Sequence, residues 1–162
     1  MITIQRILVP IDMSEVSWTA LPYALGIASR YGAAVLLLHV VEDAFPYPDL
    51  YAWSNPEKDF FKEMRKIALE KMDEGIGRQE AGDAKVERLV VRGRPAAEIL
   101  RIAEQKGADL IVLSSHGRTG MDHAIFGSQS ERVLHGAACP VLVVKAGKKP
   151  KAERAERKTK KR

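Results

Sequence analysis

Five short runs dominated by branched apolar residues recur along this chain, each followed by a stretch of helical periodicity, and no other feature limits the fold as much. The runs are Ile7–Ile11, Ala33–Val41, Val86–Val91, Asp109–Leu113 and Val141–Val144. Continuous short runs of this kind are read as strands buried on both faces. After the first, Asp12 and Ser14 are polar cap candidates for a helix of about 17 residues that Gly32 closes. Its core face would be Trp18, Leu21, Leu25 and Ala28, and Pro22 is expected to kink it. A second helix opens near Asn55 with Pro56 in its first turn. Phe60, Phe61, Met64, Ile67, Ala68 and Met72 form its apolar face, the two methionines as core filler, and Gly75 and Gly77 weaken its far end. A third opens at Arg94-Pro95, carries Ile99, Leu100 and Ala103, and stops at Gly107. A fourth starts near Gln129, passes Val133 and Leu134, and ends near Gly136. Strand and helix thus alternate, which predicts an α/β fold: a doubly wound, three-layer arrangement of five mostly parallel strands with right-handed crossovers.

At 162 residues the chain reads as one domain over 1–146 with a basic tail over 147–162. Its 46% hydrophobic and 29% charged content suits a soluble globular protein. No apolar run is long enough to span a membrane, and no signal-peptide pattern opens the chain, so a cytoplasmic location is expected. A single cysteine, Cys139, excludes an intramolecular disulfide and is expected to be buried and inert. The net charge of +5 misleads, because residues 145–162 hold ten Lys/Arg against two Glu. That stretch alone contributes +8, which leaves about −3 for the rest. The tail has no residue able to join a core, so it is expected to be disordered. Non-specific contact with nucleic acid or an acidic surface competes there with a purely solubilising role.

Residues 42–56 break the alternation. They hold three of the eight prolines and four of the ten aromatics, Phe45, Tyr47, Tyr51 and Trp53. A lid or partner surface is one reading; aromatics packing the loop onto their own domain is the other.

The most informative stretch for chemistry runs from Ser114 to Ser128. It joins the fourth strand to a helix and places nine residues between Gly117 and Gly127, with a hydroxyl residue next. Glycine lets a backbone approach an anion, and the first N–H groups of a helix are unpaired and partly positive. A plain surface turn is the alternative.

This loop resembles the G-x-x-G-x9-G-[ST] nucleotide-binding motif of the universal stress protein family, in its ATP-binding branch, with Ser114 in place of the first glycine. Ile7-Leu-Val-Pro-Ile-Asp-Met-Ser14, Leu36-Leu-Leu-His-Val-Val41 and Cys139-Pro-Val-Leu-Val-Val144 agree with it in order along the chain. The resemblance implies an adenine nucleotide α-hydrolase-like sheet of order 3-2-1-4-5, with ATP (or ADP or AMP) at the switch point between strands 1 and 4. The ends of the central strands, Pro10, Asp12, Val40 and Leu113, are then the natural site candidates. Asp12 would lie near the adenosine or a nucleotide-bound Mg2+ or Mn2+; the alternative is a plain helix cap. Val40 would offer backbone groups to the base. Ser114, Gly117, Gly127, Ser128, Gln129 and Ser130 would cradle the phosphates, with Arg118 adding charge, and His116 is the one histidine expected near the ligand. A homodimer through the last strand, Val141–Val144, is also implied, since an edge strand needs cover.

The residues exclude some chemistries. There is no G-x-x-x-x-G-K-[ST] loop, no G-x-S-x-G elbow, no His spacing for a metal and no carboxylate pair suited to acid/base work. Binding as a stress-response switch is therefore favoured over turnover. A nucleotide-independent scaffold and a slow ATPase stand as the alternatives.

Overall fold

The computed structural model describes residues 2–42, 56–79, 84–115 and 127–145. His116, Gly117 and Arg118, most of the aromatic segment 42–56 and the basic tail lie outside these. Five strands, β1 (Arg6–Ile11), β2 (Ala34–Val41), β3 (Val86–Arg92), β4 (Leu110–Ser114) and β5 (Val141–Val144), form one sheet in the order β3-β2-β1-β4-β5. Every pairing is parallel. Helices α1 (Leu21–Tyr31), α2 (Pro56–Gly77), α3 (Pro95–Lys106) and α4 (Ser128–Gly136) connect them.

Alternation along each strand divides the core into two layers. Ile7, Val9, Val35, Leu37 and Val112 face α1 and α2, whereas Leu8, Leu36, Leu38, Ile111 and Leu113 face α3 and α4. Most of these side chains are fully buried, each worth about 1.5–3 kcal/mol in transfer free energy. The three interior strands, β2, β1 and β4, therefore read as nearly continuous apolar runs, because both their faces are covered.

The first crossover departs from expectation. No 17-residue helix follows β1. A 3-10 turn, Ser17–Ala20, leads into the shorter α1, whose second residue is Pro22. In a first helical turn proline gives up no hydrogen bond, so the expected kink does not occur. Trp18 projects from the 3-10 turn into the layer under α2. There a Cβ on Gly75 would come within 2.3 Å of the indole. Gly75 is thus where α2 crosses Trp18 closely, and the helix runs on to Gly77 without fraying. Gly32 and Gly107 close α1 and α3 in the left-handed region, at φ 66° and 61°, as expected of helix-ending glycines.

Candidate functional site

The two sides of β1 behave differently. On the β2 side its ladder continues to Ile11 opposite His39, but on the β4 side it stops at Leu8 opposite Ile111. Proline explains the difference. The Arg6 carbonyl accepts the Asp109 N–H at 2.9 Å, so Arg6 faces β4. Leu8 and Pro10, two and four residues on, face the same way. Pro10 has no N–H to give there. The β1/β4 seam opens at this point, and a cleft of about 660 Å3 lies over the carboxyl ends of the strands.

Pro10, Asp12, Val40, Leu113, Ser114, Gly127, Ser128, Gln129 and Ser130 all line that cleft. The structure therefore gathers nine of the twelve candidate residues; the other three lie outside the described part.

At the end of β1, the Asp12 carboxylate accepts the Ser14 N–H at 2.9 Å and the Ser14 hydroxyl at 2.5 Å. This is a local turn centred on Met13, which sits in the left-handed region at φ 66°. Asp12 does not cap a helix. Instead Ser14 Oγ accepts the Ser17 N–H at 3.2 Å, at the start of the 3-10 turn. Ser14 thereby holds the aspartate in one orientation at the rim of the cleft.

The end of β2 supplies backbone. The Val41 carbonyl accepts the Gly93 N–H at 3.0 Å, on the β3 side. Alternation turns the backbone groups of Val40 the other way, toward the side where β1 ends.

The opposite wall is the first turn of α4. The neck of the glycine loop is closed by the Gly127 N–H donating to the Ser115 carbonyl, and by the Ser115 N–H donating to the Val144 carbonyl, both at 2.8 Å. Glu131 is the first residue of α4 with an intrahelical acceptor, the Gly127 carbonyl at 3.0 Å. The N–H groups of Ser128, Gln129 and Ser130 therefore point along the helix axis toward the cleft end with no intrahelical acceptor. The side chains of 129 and 130 do not join them. Ser130 Oγ donates to the Ser114 carbonyl at 3.1 Å, and Gln129 Oε1 accepts the Ala96 N–H of α3 at 3.2 Å. Gly127 itself is extended (φ −71°), so its backbone does not require glycine. What glycine provides there is the absence of a side chain.

Several lining residues went unanticipated. His39 also lines the cleft and donates Nδ1–H to the Ile11 carbonyl at 2.9 Å, whereas His116, the one histidine expected near a ligand, lies outside the described residues. No sequence signal marked His39, because the contact arises from the register of β2 against β1. Phe60, Met64, Ile67 and Lys71 form one stripe of α2 that walls the cleft. Met64 is thus half-buried lining rather than core filler, and Phe60 is exposed. Among the described residues no group of three or more His, Cys, Asp or Glu side chains is placed to hold a metal ion. Cys139 is half-buried rather than fully so, and burial pushes its thiol pKa up. No helix of the described residues is long and apolar enough to cross a membrane.

A parallel sheet opened at its switch point, with a helix N-terminus facing the opening, defines a doubly wound α/β protein with a cleft beyond its strand ends. The chain matches the universal stress protein family model over residues 3–145 and belongs to that family. It is 39% identical over 147 residues to the universal stress protein MJ0531 of Methanocaldococcus jannaschii, covering 90% of this chain and 84% of that protein. Among solved structures, protein MJ0577 of the same organism superposes with a TM-score of 0.78 at 31% identity, over 91% of this chain and 99% of that one. The universal stress protein UspA of Lactobacillus plantarum gives a TM-score of 0.73 at 27% identity, over 89% and 99%.

Proposed function

We propose that this universal stress protein binds an adenine nucleotide, ATP or its di- or monophosphate, in the cleft that Pro10 opens, and that occupancy serves as a cytoplasmic stress signal. The observation that carries the reading is the first turn of α4. Three N–H groups without intrahelical acceptors, at the positive end of a helix dipole, face a cleft whose other rim carries Asp12. Two more distant fold neighbours, at 24% and 22% identity, are universal stress proteins in complex with cAMP and dAMP. They illustrate that a fold of this kind accommodates such ligands.

In this reading the backbone of Ser128, Gln129 and Ser130 holds the phosphates and Val40 meets the base. Asp12, oriented by Ser14, faces the ribose or a phosphate-bound Mg2+ or Mn2+. Such a cation prefers oxygen ligands and would neutralise phosphate charge. The proposed role is binding; phosphate release lost in Asp12→Ala would be needed to add turnover to it. Calorimetric titration of Mg-ATP into the full chain and into residues 1–146, in about 0.15 M salt, tests it. One-to-one saturable binding by both supports the site; heat seen only with the basic tail present refutes it.

A homodimer through β5 belongs to the same proposal. β5 is a sheet edge with Leu142 exposed at its centre, an arrangement that a second copy would cover. A monomer mass in sedimentation at micromolar concentration would contradict it.

A further inference from the structure

We infer that Gln129 is a positioning residue that makes the phosphate seat and the start of α3 one mechanical unit, so that occupancy of the cleft is registered at α3. The inference rests on the nucleotide reading above. Its basis is the divided use of one residue. The backbone N–H of Gln129 belongs to the first turn of α4 and faces the cleft, while its side chain leaves the cleft and accepts the Ala96 N–H. The donor fixes the chemistry of that contact: only the carboxamide oxygen can face an N–H, so Oε1 is the bound end.

Helix α3 depends on this acceptor. Its N-cap residue, Arg94, makes no side-chain cap, Pro95 has no N–H, and the Glu98 N–H already reaches the Arg94 carbonyl at 3.0 Å. Ala96 and Ala97 are therefore the two first-turn donors left to satisfy, and Gln129 satisfies one of them. Farther along, the end of α4 packs closely against the middle of α3. A Cβ on Gly136 of α4 would lie 2.6 Å from Leu100 Cδ1 of α3.

The start of α3 also meets the base end of the cleft. Gly93, two residues before Pro95, donates to the Val41 carbonyl beside Val40. It occupies φ 147°, where a side chain would be strained. One short segment, Gly93–Ala96, is therefore tied to the phosphate wall through Gln129 and to the base wall through Val41. An anion seated on the first turn of α4 orders that turn, fixes the stem of Gln129, and so tightens its hold on Ala96. Occupancy of the phosphate wall is thus reported at the β3–α3 connection, whose Pro95 lines the same cleft.

Amide hydrogen exchange at Ala96 and Ala97 tests this in full-length protein, without ligand and at saturating Mg-ATP or adenosine. Calorimetry on each variant establishes saturation. In the wild type, Mg-ATP should slow exchange at Ala96 by about fivefold or more, within the usual range of coupling between sites. Adenosine, which has no phosphate, should not. In Gln129→Leu, of similar size but with no acceptor, Ala96 should exchange faster without ligand and lose its response to Mg-ATP. Gln129→Glu, which keeps an acceptor, should restore the ligand-free protection and guards against misreading a folding defect. Bound Mg-ATP that leaves Ala96 unchanged in the wild type, or slows it equally in Gln129→Leu, would overturn the coupling alone. Absence of any saturable nucleotide binding would overturn the nucleotide reading and the coupling together.

Discussion

The seam between β1 and β4 is stitched at one end and parted at the other, and the contrast accounts for where the site lies. At the amino end, one carboxylate does the joining: Asp109 Oδ2 accepts the N–H of Gln5 at 2.8 Å and of Arg6 at 2.9 Å, and Arg6 Nη1 reaches the Lys106 carbonyl at 3.1 Å. At the carboxyl end Pro10 withholds the N–H that would extend the ladder, and β4 departs toward Ser114 and the glycine loop. Strand geometry is the same at both ends; one side chain and one missing proton decide which end closes. Substitutions at the two ends should therefore separate stability from binding.

The largest effect is expected at the open end. Gly127→Trp would place an indole over the first turn of α4 without backbone strain, because glycine is extended there. Mg-ATP affinity should fall by about a hundredfold or more, roughly 2.7 kcal/mol. The melting temperature should move by only a couple of degrees, as for most surface changes.

The stitched end should behave in the opposite way. Asp109→Ala removes two charge-assisted bonds in a solvent-accessible position, at a cost of about 2 kcal/mol. For a chain of this length that corresponds to a fall of about 4–8 °C in melting temperature by calorimetry. Nucleotide affinity should stay within about threefold, since nothing of Asp109 reaches the cleft. Comparable losses of stability and affinity together would mean that the two ends are not independent.

A smaller effect sharpens the same point. Pro10→Val returns an N–H on the β4 side and a residue at home in a strand. The seam should lengthen at the expense of the cleft, with stability unchanged or slightly higher and affinity down by about three- to tenfold, or 1 kcal/mol. Unaltered affinity would remove proline from the explanation of the opening.

The smallest effect concerns Cys139, beside the seam's outer partner β5. Burial raises its thiol pKa above the ordinary value. The folded state thus keeps the proton more readily than the unfolded one. Its contribution to stability is complete below the unfolded thiol pKa and is lost as pH rises through the folded value. Alkylation of the native protein by iodoacetamide should accordingly be slower than that of a free thiol at pH 8 and rise to its plateau at higher pH. A rate equal to that of free cysteine would show the side chain to be fully solvated.

Much of this architecture was legible in the sequence, for definite reasons. β5 occupies the expected Val141–Val144, and the other strands lie within one residue of their apolar runs at either end. A strand buried on both faces has nowhere to place a polar residue, so its limits show. Gly32 and Gly107 marked helix ends because few other residues tolerate the left-handed conformation there. The first crossover was less legible. Asp12 and Ser14 look like helix caps, but they bond to each other around a left-handed Met13, and the chain turns before it coils. Gly75, read as a weak point in a helix, is a point of contact with a tryptophan 57 positions away in sequence. The same limit applies at the site. Local spacing marked Gly127 and Ser128, whereas His39 against Ile11 and Gln129 against Ala96 exist only through the register and packing of separate elements.

The most direct test of the account is a crystal structure of the protein with Mg2+ and a non-hydrolysable ATP analogue. Phosphate oxygens within hydrogen-bonding distance of the Ser128, Gln129 and Ser130 N–H groups, with the base beside Val40 above Pro10, are the predicted result. Nucleotide bound elsewhere on the surface, or a cleft left empty at saturating analogue, would contradict it.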